Sequence, residues 1–345
     1  MPDFNPNQFP VSDPSSVFRY RDRLYAVDLL GAAIVEFDFF TWLDSQESVS
    51  EADICRHFGF ASRPVDVMVT LFVANGYLKR VGEQVQNTDQ AREFLVKGSP
   101  WFMGPYYGSL SDRPVLKDMI KVLKSGKPTS WGSSEREKED WHAAMEREDF
   151  AKMFTAAMDC RGLYLGQHFA KRLDVEGRTH VLDIGGGSGI YACVLAKLNP
   201  GLKATVLEKA PVDAIAREAI AERKCGDQVS VAEGDMFTGP WPAADVHLFS
   251  NVLHDWEEPE VEALLQRSAE FLPAGGLIVI HEALLNEDKS GPIEVAEYSA
   301  LLMNVTQGKC YAISEYQSIL EKVGFGQVRS EMTAADRGYM TAIKL

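Results

Sequence analysis

The sequence is short of positive charge and has no long apolar run. Its 345 residues include 35 Lys and Arg against 50 Asp and Glu, so the formal net charge is −15. Because such a surplus of carboxylates repels phosphate groups, we expect neither nucleic acid nor an anionic membrane as a partner. No run of about 18 uncharged apolar residues occurs, so no transmembrane helix is predicted.

Cysteine is also scarce. The five cysteines are scattered, with no paired spacing of the kind that binds metal, which favours free thiols in a reducing cytosol and no bound metal. Residues 1–16 are rich in Pro, Asn and Ser and lack the basic and then apolar order of a signal peptide. We therefore expect a cytoplasmic protein whose N-terminus is a flexible arm.

The chain does contain enough apolar sequence for about two domains. Its apolar fraction of 46% is ordinary for a globular protein. Near the N-terminus, Arg23–Leu43 is predicted to form one apolar helix, and Ser50–Phe58 and Pro64–Asn75 two shorter ones. The segments Tyr77–Val81 and Gln84–Thr88 are expected to follow as a hairpin. Helix, turn, helix and hairpin is the order of a winged-helix module.

A winged-helix module raises the alternative of a ligand-sensing DNA regulator. Its second helix would read the major groove, and such a helix needs Arg, Lys, Asn or Gln side chains. The segment Val65–Ala74 has Asp66 as its only charged residue. We therefore expect this helix to be buried in a dimer interface rather than to bind DNA.

A glycine cluster follows the first buried strand of the C-terminal half. The apolar segment Thr179–Ile184 predicts a parallel strand, and a helix is expected to begin near Ile190. Between them, Gly185, Gly186, Gly187 and Gly189 allow a tight turn and close approach of a ligand, while the helix N-terminus offers free N–H groups. Together with Ala192 this run also satisfies a dinucleotide fingerprint. A nicotinamide cofactor, S-adenosylmethionine and a purely structural turn all remain open at this point.

An acidic residue stands at the end of the next predicted strand. Ala204–Leu207 delivers Glu208 to the carboxyl edge of the sheet, about 20 residues after the glycines, where an acidic side chain meets ribose hydroxyls in doubly wound folds. The alternative is an exposed carboxylate with no ligand.

Two further strands are predicted to bring polar and aromatic residues to the same edge. After Val229–Ala232, Asp235 can accept a hydrogen bond from an exocyclic amine, and Met236 and Phe237 can cover an aromatic base or simply belong to the core. After Val246–Ser250, the residues His254, Asp255 and Trp256 reach the edge where ligands of open parallel sheets bind.

The remaining predictions concern other parts of the chain. Leu277–Ile280 and Gly338–Ile343 are expected to complete the sheet, the last strand antiparallel at its edge. Residues 133–149 form a charged run that predicts a solvated surface helix.

Taken together, these motifs resemble a known family. VLDIGGGSG (Val181–Gly189), EGDMF, NVLHDW, Glu282 and DKSGP (Asp288–Pro292) are similar to class I S-adenosylmethionine-dependent O-methyltransferases. The homodimeric small-molecule type, which includes caffeic acid, hydroxyindole and bacterial natural-product O-methyltransferases, fits best. The resemblance runs from about Tyr25 to the C-terminus.

The resemblance implies a fold and a domain order. We expect an α/β protein with a doubly wound, Rossmann-like methyltransferase sheet, preceded by a mainly α, winged-helix-like dimerisation domain. The expected boundaries are 1–100 for the dimerisation domain, 101–172 for a helical connection that contributes to the substrate pocket, and 173–345 for the catalytic domain. The expected partners are a small-molecule acceptor and a second copy of the chain.

The resemblance also assigns roles to residues. Gly185 would line the methionine part of the cofactor with Asp183 beside it, and Glu208 stands where the family usually has Asp on the ribose. The residues expected to bind S-adenosylmethionine, and its product S-adenosylhomocysteine, are Asp183, Gly185, Gly187, Glu208, Asp235, Met236, Phe237 and Ser250.

The catalytic roles fall on a histidine and a carboxylate. His254 matches the family's general base and Glu282 the carboxylate that steers it, an arrangement suited to removing the proton of a phenol. The residues expected to contact the acceptor are Met158, Asp255, Met303 and Asn304.

The chain departs from the family pattern after Asn304. A stretch that often carries a second supporting glutamate reads Gly308–Ala312 here, with Cys310 at the glutamate position. A neutral thiol does not stabilise an imidazolium by charge. Methylation of carbon, or cofactor binding without methyl transfer, therefore remain alternatives to O-methylation.

Overall fold

The computed structural model describes residues 4–46, 48–129 and 141–345. The chain divides into two compact units, one made of residues 1–15, 139–284 and 313–345 and the other of residues 16–138 and 285–312. Residues 133–140 of the expected charged helix lie outside the described residues. We call the unit that contains residues 139–284 the sheet unit and the unit that contains residues 16–138 the helical unit.

The helices are α1 Ser15–Asp22, α2 Ala26–Val35, α3 Phe39–Asp44, α4 Glu51–Phe58, α5 Ser62–Ala74, α6 Asp89–Phe94, α7 Gly104–Gly108, α8 Pro114–Ser125, α9 Trp141–Met145, α10 Glu148–Ala170, α11 Ile190–Leu198, α12 Val212–Glu222, α13 Glu258–Phe271, α14 Ile293–Val305 and α15 Ile313–Lys322. The strands are β1 Val49–Ser50, β2 Leu78–Val81, β3 Gln84–Asn87, β4 His180–Ile184, β5 Lys203–Glu208, β6 Val229–Glu233, β7 Val246–Ser250, β8 Leu277–Glu282, β9 Phe325–Met332 and β10 Gly338–Lys344.

The sheet unit is built on a seven-stranded sheet in the order β6-β5-β4-β7-β8-β10-β9. The five strands β4 to β8 pair in parallel, and β10 is antiparallel to both of its neighbours, β8 and β9. The chain winds outward from β4 to β6 and then returns to β7. The carboxyl ends of β4 and β7 therefore form the topological switch point, where ligands of such sheets bind. The predicted doubly wound fold is confirmed.

The central strands are apolar because helices cover both faces of the sheet. Every residue of β7 and β8 is buried, as are the last four residues of β4. A parallel strand buried on both faces carries a continuous apolar run rather than an alternating one. That run is the signal from which these strands were predicted.

The prediction for the sheet edge was wrong in one respect. The last strand is antiparallel as expected, but β9 pairs outside β10 and forms the edge. Only Phe325 of β9 is fully buried, and the strand ends in the exposed residues Ser330–Met332. An exposed edge strand of this kind lacks the apolar pattern that marks the central strands.

The helical unit contains the predicted hairpin and one strand that was not predicted. The strands β2 and β3 pair antiparallel as expected, and β1 adds to β3 to give the sheet order β1-β3-β2. Ser50 then caps α4, since its hydroxyl accepts from Asp53 N at 3.2 Å while Asp53 Oδ2 accepts from Ser50 N at 3.0 Å. This reciprocal capping box fixes where the helix begins.

The expected single helix over Arg23–Leu43 is wrong. It is two helices, α2 and α3, because Asp38 lies in the left-handed region at a φ of 50° and interrupts the helical path. Aspartate is one of the few residues that adopts this conformation readily. Apolar residues continue on both sides of the break, so periodicity alone does not reveal it.

The helical unit also draws on sequence far from the N-terminus. Helix α14 packs against α2, α5 and α8, and ten of its residues are buried. The units are thus discontinuous in sequence, and the domain boundaries expected at residues 100 and 172 stay a prediction.

A charged cluster lies within the helical unit. Asp66 of α5 accepts from Lys289 Nζ at 2.8 Å and also pairs with Lys309 Nζ. Burial alone would raise the pKa of Asp66, but Lys309 and Lys289 outweigh it and lower that pKa to about 2. The ionised carboxylate therefore stabilises the fold above its unfolded pKa of about 3.9, and the contribution is lost as pH falls towards 2.

We predict that Asp66→Asn destabilises the protein by about 3 kcal/mol at neutral pH, because two partly buried ammonium groups lose their counter-charge. The melting temperature of the variant should approach that of the wild type as pH falls from about 4 to about 2. Asp112→Asn is the matched control, since that carboxylate is 99% exposed in its pair with Lys117. Equal melting temperatures of wild type and Asp66→Asn at pH 7 would contradict the prediction.

Candidate active site

The glycine loop follows β4 at the switch point. Gly185, Gly187 and Gly189 have φ values of 66°, 57° and 70°, in the region that favours glycine. A Cβ on Gly185 would lie 3.2 Å from Val252 and 3.8 Å from the sulfur of Met236. A side chain at Gly185 would therefore be strained by the positive φ and crowded by Val252, and the loop brings residues of three predicted motifs together.

Glu208 holds the loop from the neighbouring strand. Its Oε1 accepts from Gly187 N at 2.9 Å and its Oε2 from Lys209 N at 3.2 Å. Burial raises the pKa of Glu208 to about 7 despite these two donors. Glu208 therefore lies beside the loop, as predicted from its place at the strand end, and carries only part of a charge near neutral pH.

Asp183 lies beneath the same loop and is fully buried. A Cβ on Gly186 would be 2.6 Å from Asp183 Oδ2. Neither carboxyl oxygen makes a hydrogen bond of normal geometry among the described residues, although the backbone N–H of Ala192 is close enough to favour the ionised form. Burial, helped by the nearby Glu208, outweighs this donor and raises the pKa of Asp183 to about 7. A buried carboxyl with such poor hydrogen bonding is rare in proteins and indicates a ligand group or a bound proton.

The turn after β6 carries the residues predicted to surround an aromatic base. Asp235 is exposed, and its Oδ1 accepts from Phe237 N at 2.7 Å and Thr238 N at 3.1 Å. Phe237 packs edge to face on Trp256, with ring centroids 4.6 Å apart. The turn therefore places Asp235, Met236 and Phe237 together at the carboxyl edge of the sheet.

A buried polar cluster surrounds Ser250, the last residue of β7. Its Oγ lies 2.9 Å from His281 Nδ1, and Asn251 Nδ2 donates to Tyr191 OH at 3.1 Å. Burial, with the charges of Arg337 and Arg161, lowers the pKa of His281 to about 3. A neutral His281 therefore orients the Ser250 hydroxyl.

The sequence analysis missed Tyr191, Asn251 and His281. His281 could have been found from the alternation of side chains along β8, because the neighbours His281 and Glu282 lie on opposite faces of that strand.

His254 and Glu282 form a buried pair. Glu282 Oε2 bonds His254 Nδ1, while its Oε1 accepts from Val252 N and Leu253 N, both at 3.0 Å. Those two donors lie at the start of the short 3-10 helix Leu253–Asp255. One carboxylate thus fixes both the backbone that carries the histidine and the orientation of its ring.

The carboxylates set the charge of His254. Burial by itself would lower the pKa of His254, but Glu282 and Asp255 outweigh it and raise that pKa. Asp255 Oδ1 lies 3.7 Å from His254 Nε2. Burial raises the pKa of Asp255 to about 6, although the neighbouring His254 acts in the opposite direction. Glu282 and Asp255 therefore stabilise the protonated form of the His254 imidazole.

Arg161 is a further residue that the sequence analysis missed. It lies on α10 and its Nη2 is 3.2 Å from the sulfur of Met158, one helical turn away. Its positive charge acts against protonation of His254 and lowers the pKa of Asp255. The available signal was the spacing of three residues from Met158, which puts both on one helix face.

The other two residues predicted to bind the acceptor lie in the helical unit. Met303 O accepts from Arg63 Nη1 at 3.2 Å, and Asn304 Oδ1 accepts from Thr129 Oγ1 at 3.2 Å. Cys310 is buried in the same unit, where its N–H donates to Ser299 Oγ at 3.0 Å. The structure describes these residues within their own unit, so their part in acceptor binding stays a prediction.

Comparison with known proteins decides the family. The sequence model of the O-methyltransferase domain matches residues 115–326. The chain belongs to this O-methyltransferase family. It is an S-adenosylmethionine-dependent O-methyltransferase that acts on a small molecule.

Several relatives of the enzyme match over most of their length. It is 28% identical over 282 residues to 3-hydroxy-5-methyl-1-naphthoate 3-O-methyltransferase of Streptomyces sahachiroi, which covers 81% of this chain and 80% of that one. It is 27% identical to the tetracenomycin polyketide synthesis 8-O-methyl transferase TcmO of Streptomyces glaucescens, over 93% of this chain and 94% of that one. An O-methyltransferase family 2 protein from Planctomyces limnophilus, solved in complex with apigenin, matches all of both chains with a TM-score of 0.87 and 27% identity.

The described residues contain neither a membrane-spanning helix nor a cluster of metal-binding side chains. No helix in the described ranges is long and apolar enough to cross a bilayer. No group of three or more His, Cys, Asp or Glu side chains in those ranges is placed to hold a metal ion.

We predict that Glu282→Gln lowers the pKa of His254. Burial favours the neutral imidazole, and of the two carboxylates that stabilise the imidazolium only Asp255 would remain. The measurement is an NMR titration of the enzyme with selectively ¹³C-labelled histidine, the resonance being assigned from a His254→Gln sample. Glu262→Gln is the control, since that carboxylate pairs with Lys322 at the surface. A His254 pKa equal in wild type and Glu282→Gln would show that the carboxylate does not hold the ring's charge.

Proposed function

We propose that the enzyme methylates a phenolic hydroxyl of an aromatic or polyketide-like small molecule, with His254 as the general base. The observation that carries this proposal is the buried pair of His254, which follows β7, and Glu282, which ends β8. A naphthoate and a polyketide are named as substrates of the relatives described above. The proposal extends that class of acceptor to this chain.

The residues around the glycine loop fit the cofactor. Asp183 is a buried carboxyl whose oxygens make no hydrogen bond of normal geometry among the described residues, Gly185 has a φ of 66° with Val252 close by, and Glu208 bonds the loop. We propose that Gly185 and Gly187 line the methionine part with Asp183 and Ser250 near it, and that Glu208 accepts from ribose hydroxyls. Asp235, Met236 and Phe237 would surround the adenine. When bound, S-adenosylmethionine supplies an electrophilic methyl group.

His254 would supply the base that a phenolic acceptor needs. A phenol with a pKa near 10 is scarcely ionised at neutral pH, so a base that takes its proton during attack raises the rate. Since Glu282 occupies Nδ1, the acceptor proton would pass to Nε2 of His254. The same carboxylate stabilises the imidazolium that results.

Four residues are proposed to position the acceptor. They are Met158, Asp255, Met303 and Asn304. Asp255 lies 3.7 Å from His254 Nε2, near the nitrogen that would face the hydroxyl.

We predict that His254→Gln reduces kcat by about 100-fold or more, because the base is removed while the loop residues are unchanged. Turnover is measured with a hydroxylated naphthoate or flavone and S-adenosylmethionine. The affinity for S-adenosylhomocysteine, measured by calorimetry, should stay near that of the wild type. Turnover of a genuine acceptor that survives this change would remove His254 from its proposed role.

The product of the same assay separates the chemical alternatives. A methyl group bonded to oxygen in the product NMR spectrum supports the proposal. A carbon-bound methyl would replace it with C-methylation, and binding of S-adenosylhomocysteine without turnover of any acceptor would indicate a non-methylating family member.

A homodimer is the second part of the proposal. The helical unit exposes large apolar side chains that a monomer would leave in water, namely Val17, Tyr20, Leu24, Val27, Trp101 and Tyr106. Four of them, from Val17 to Val27, recur at intervals of three or four residues, and a concentration of exposed apolar side chains favours an interaction surface. We propose that the N-terminal module, residues 1–100, pairs with its counterpart in a second copy. The catalytic part would then span residues 173–345, with 101–172 as a connection, in a cytoplasmic enzyme.

Sedimentation velocity tests the dimer. The wild type should sediment as a dimer at micromolar concentration, and Tyr20→Glu with Leu24→Glu should shift it towards the monomer because buried charge opposes association. Met332→Glu, at an exposed methionine of β9 in the sheet unit, is the control. A wild-type monomer, or a dimer unchanged by the double substitution, would contradict this part of the proposal.

A further inference from the structure

Three side chains from separate elements meet at the glycine loop. Ser188 Oγ donates to Asp159 Oδ1 of α10, and Nη2 of Arg223, the residue that follows α12, bonds the same oxygen. Arg223 Nη1 also donates to the main-chain oxygen of Ser188 at 2.9 Å. Ser188 is thus held through both its side chain and its backbone.

The position of Ser188 gives this contact its importance. It stands between Gly187 and Gly189, both in the left-handed region of φ. Glycine loses more conformational freedom on ordering than any other residue, so a loop of four glycines needs anchors to keep one shape. Glu208 anchors Gly187 N from one side. Asp159 and Arg223 anchor the next residue from the other.

The network is well placed to be rigid. Ser188 is 5% exposed and the side chain of Arg223 is 12% exposed, so water competes little on their side of these bonds, whereas the side chain of Asp159 is 30% exposed. The helices also approach closely, because a Cβ on Gly162 would be 2.6 Å from Ile190 at the start of α11. Charge-assisted bonds in such surroundings are stronger than neutral ones.

We propose that Asp159 and Arg223 are positioning residues that hold the glycine loop in its cofactor-binding shape through Ser188. The inference rests on the proposed cofactor site. It adds two side chains that do not belong to the glycine motif. It also links the loop to α10, the helix that carries Met158 and Arg161.

The test uses two mild substitutions. Ser188→Ala removes the hydroxyl, and Asp159→Asn keeps the shape of the side chain but removes the charge that Arg223 meets. Each should weaken binding of S-adenosylhomocysteine about tenfold, since a hydrogen bond to a charged group is lost. At saturating cofactor, kcat should change far less than KM for S-adenosylmethionine, because His254 is untouched.

Two further variants separate positioning from general stability. Ser188→Thr keeps a hydroxyl and should restore most of the affinity. Glu148→Gln removes an exposed carboxylate of the same helix, paired with Lys152 at the surface, and should leave affinity unchanged. Melting temperatures measured without ligand report any loss of fold. If Asp159→Asn fails to fold, Ser188→Ala decides the question.

A double-mutant cycle completes the test. Because Ser188 and Asp159 act through one bond, the double variant should weaken binding little more than the stronger single variant. Folded single variants that bind S-adenosylhomocysteine as tightly as the wild type would overturn the inference. A wild type that does not bind it at all would instead refute the proposed cofactor site.

Discussion

The site depends above all on the carboxylate of Glu282. One of its oxygens accepts from Val252 N and Leu253 N, and the other bonds His254 Nδ1. Burying a carboxylate without hydrogen-bond donors would cost several kcal/mol, so Glu282 depends on these donors to be buried here. Because the same group bonds the backbone before His254 and the ring itself, a change in the loop after β7 would move the imidazole. Fold and chemistry are therefore joined at a single side chain.

The order of the strands explains why the other groups are near. After β4 the chain adds β5 and β6 on one side of the sheet, and after β7 it adds β8 on the other. Because these strands are parallel, the loops after β4 and β7 lie over the same edge of the sheet. A Cβ on Gly185 of the first loop would lie 3.2 Å from Val252 of the second. A glycine motif and a histidine motif about 65 residues apart in sequence are thus neighbours because of parallel topology, as the general rule for such sheets requires.

The sequence predicted the parts of the site that follow from this topology and missed those that depend on packing. Apolar runs identified β4 to β8, and the residues at or just after the ends of β5, β6 and β7 gave Glu208, Asp235 and His254. Nothing local marked Asp159 or Arg223, since they lie on or beside helices whose charged residues are mostly solvated, and only helix packing brings them to the loop. The break at Asp38 and the edge strand β9 were missed for a related reason, because each depends on a backbone conformation or a pairing that periodicity does not record.

Two carboxyl groups beside the loop give the cofactor site an unusual electrostatic balance. Burial raises the pKa values of Asp183 and Glu208 to about 7, and Glu208 further disfavours ionisation of Asp183. A cationic ligand favours the ionised forms, whereas a neutral thioether does so less. S-adenosylmethionine carries a sulfonium charge that its product lacks, so in the proposed cofactor site these two carboxyls would hold the substrate more firmly than the product near neutral pH.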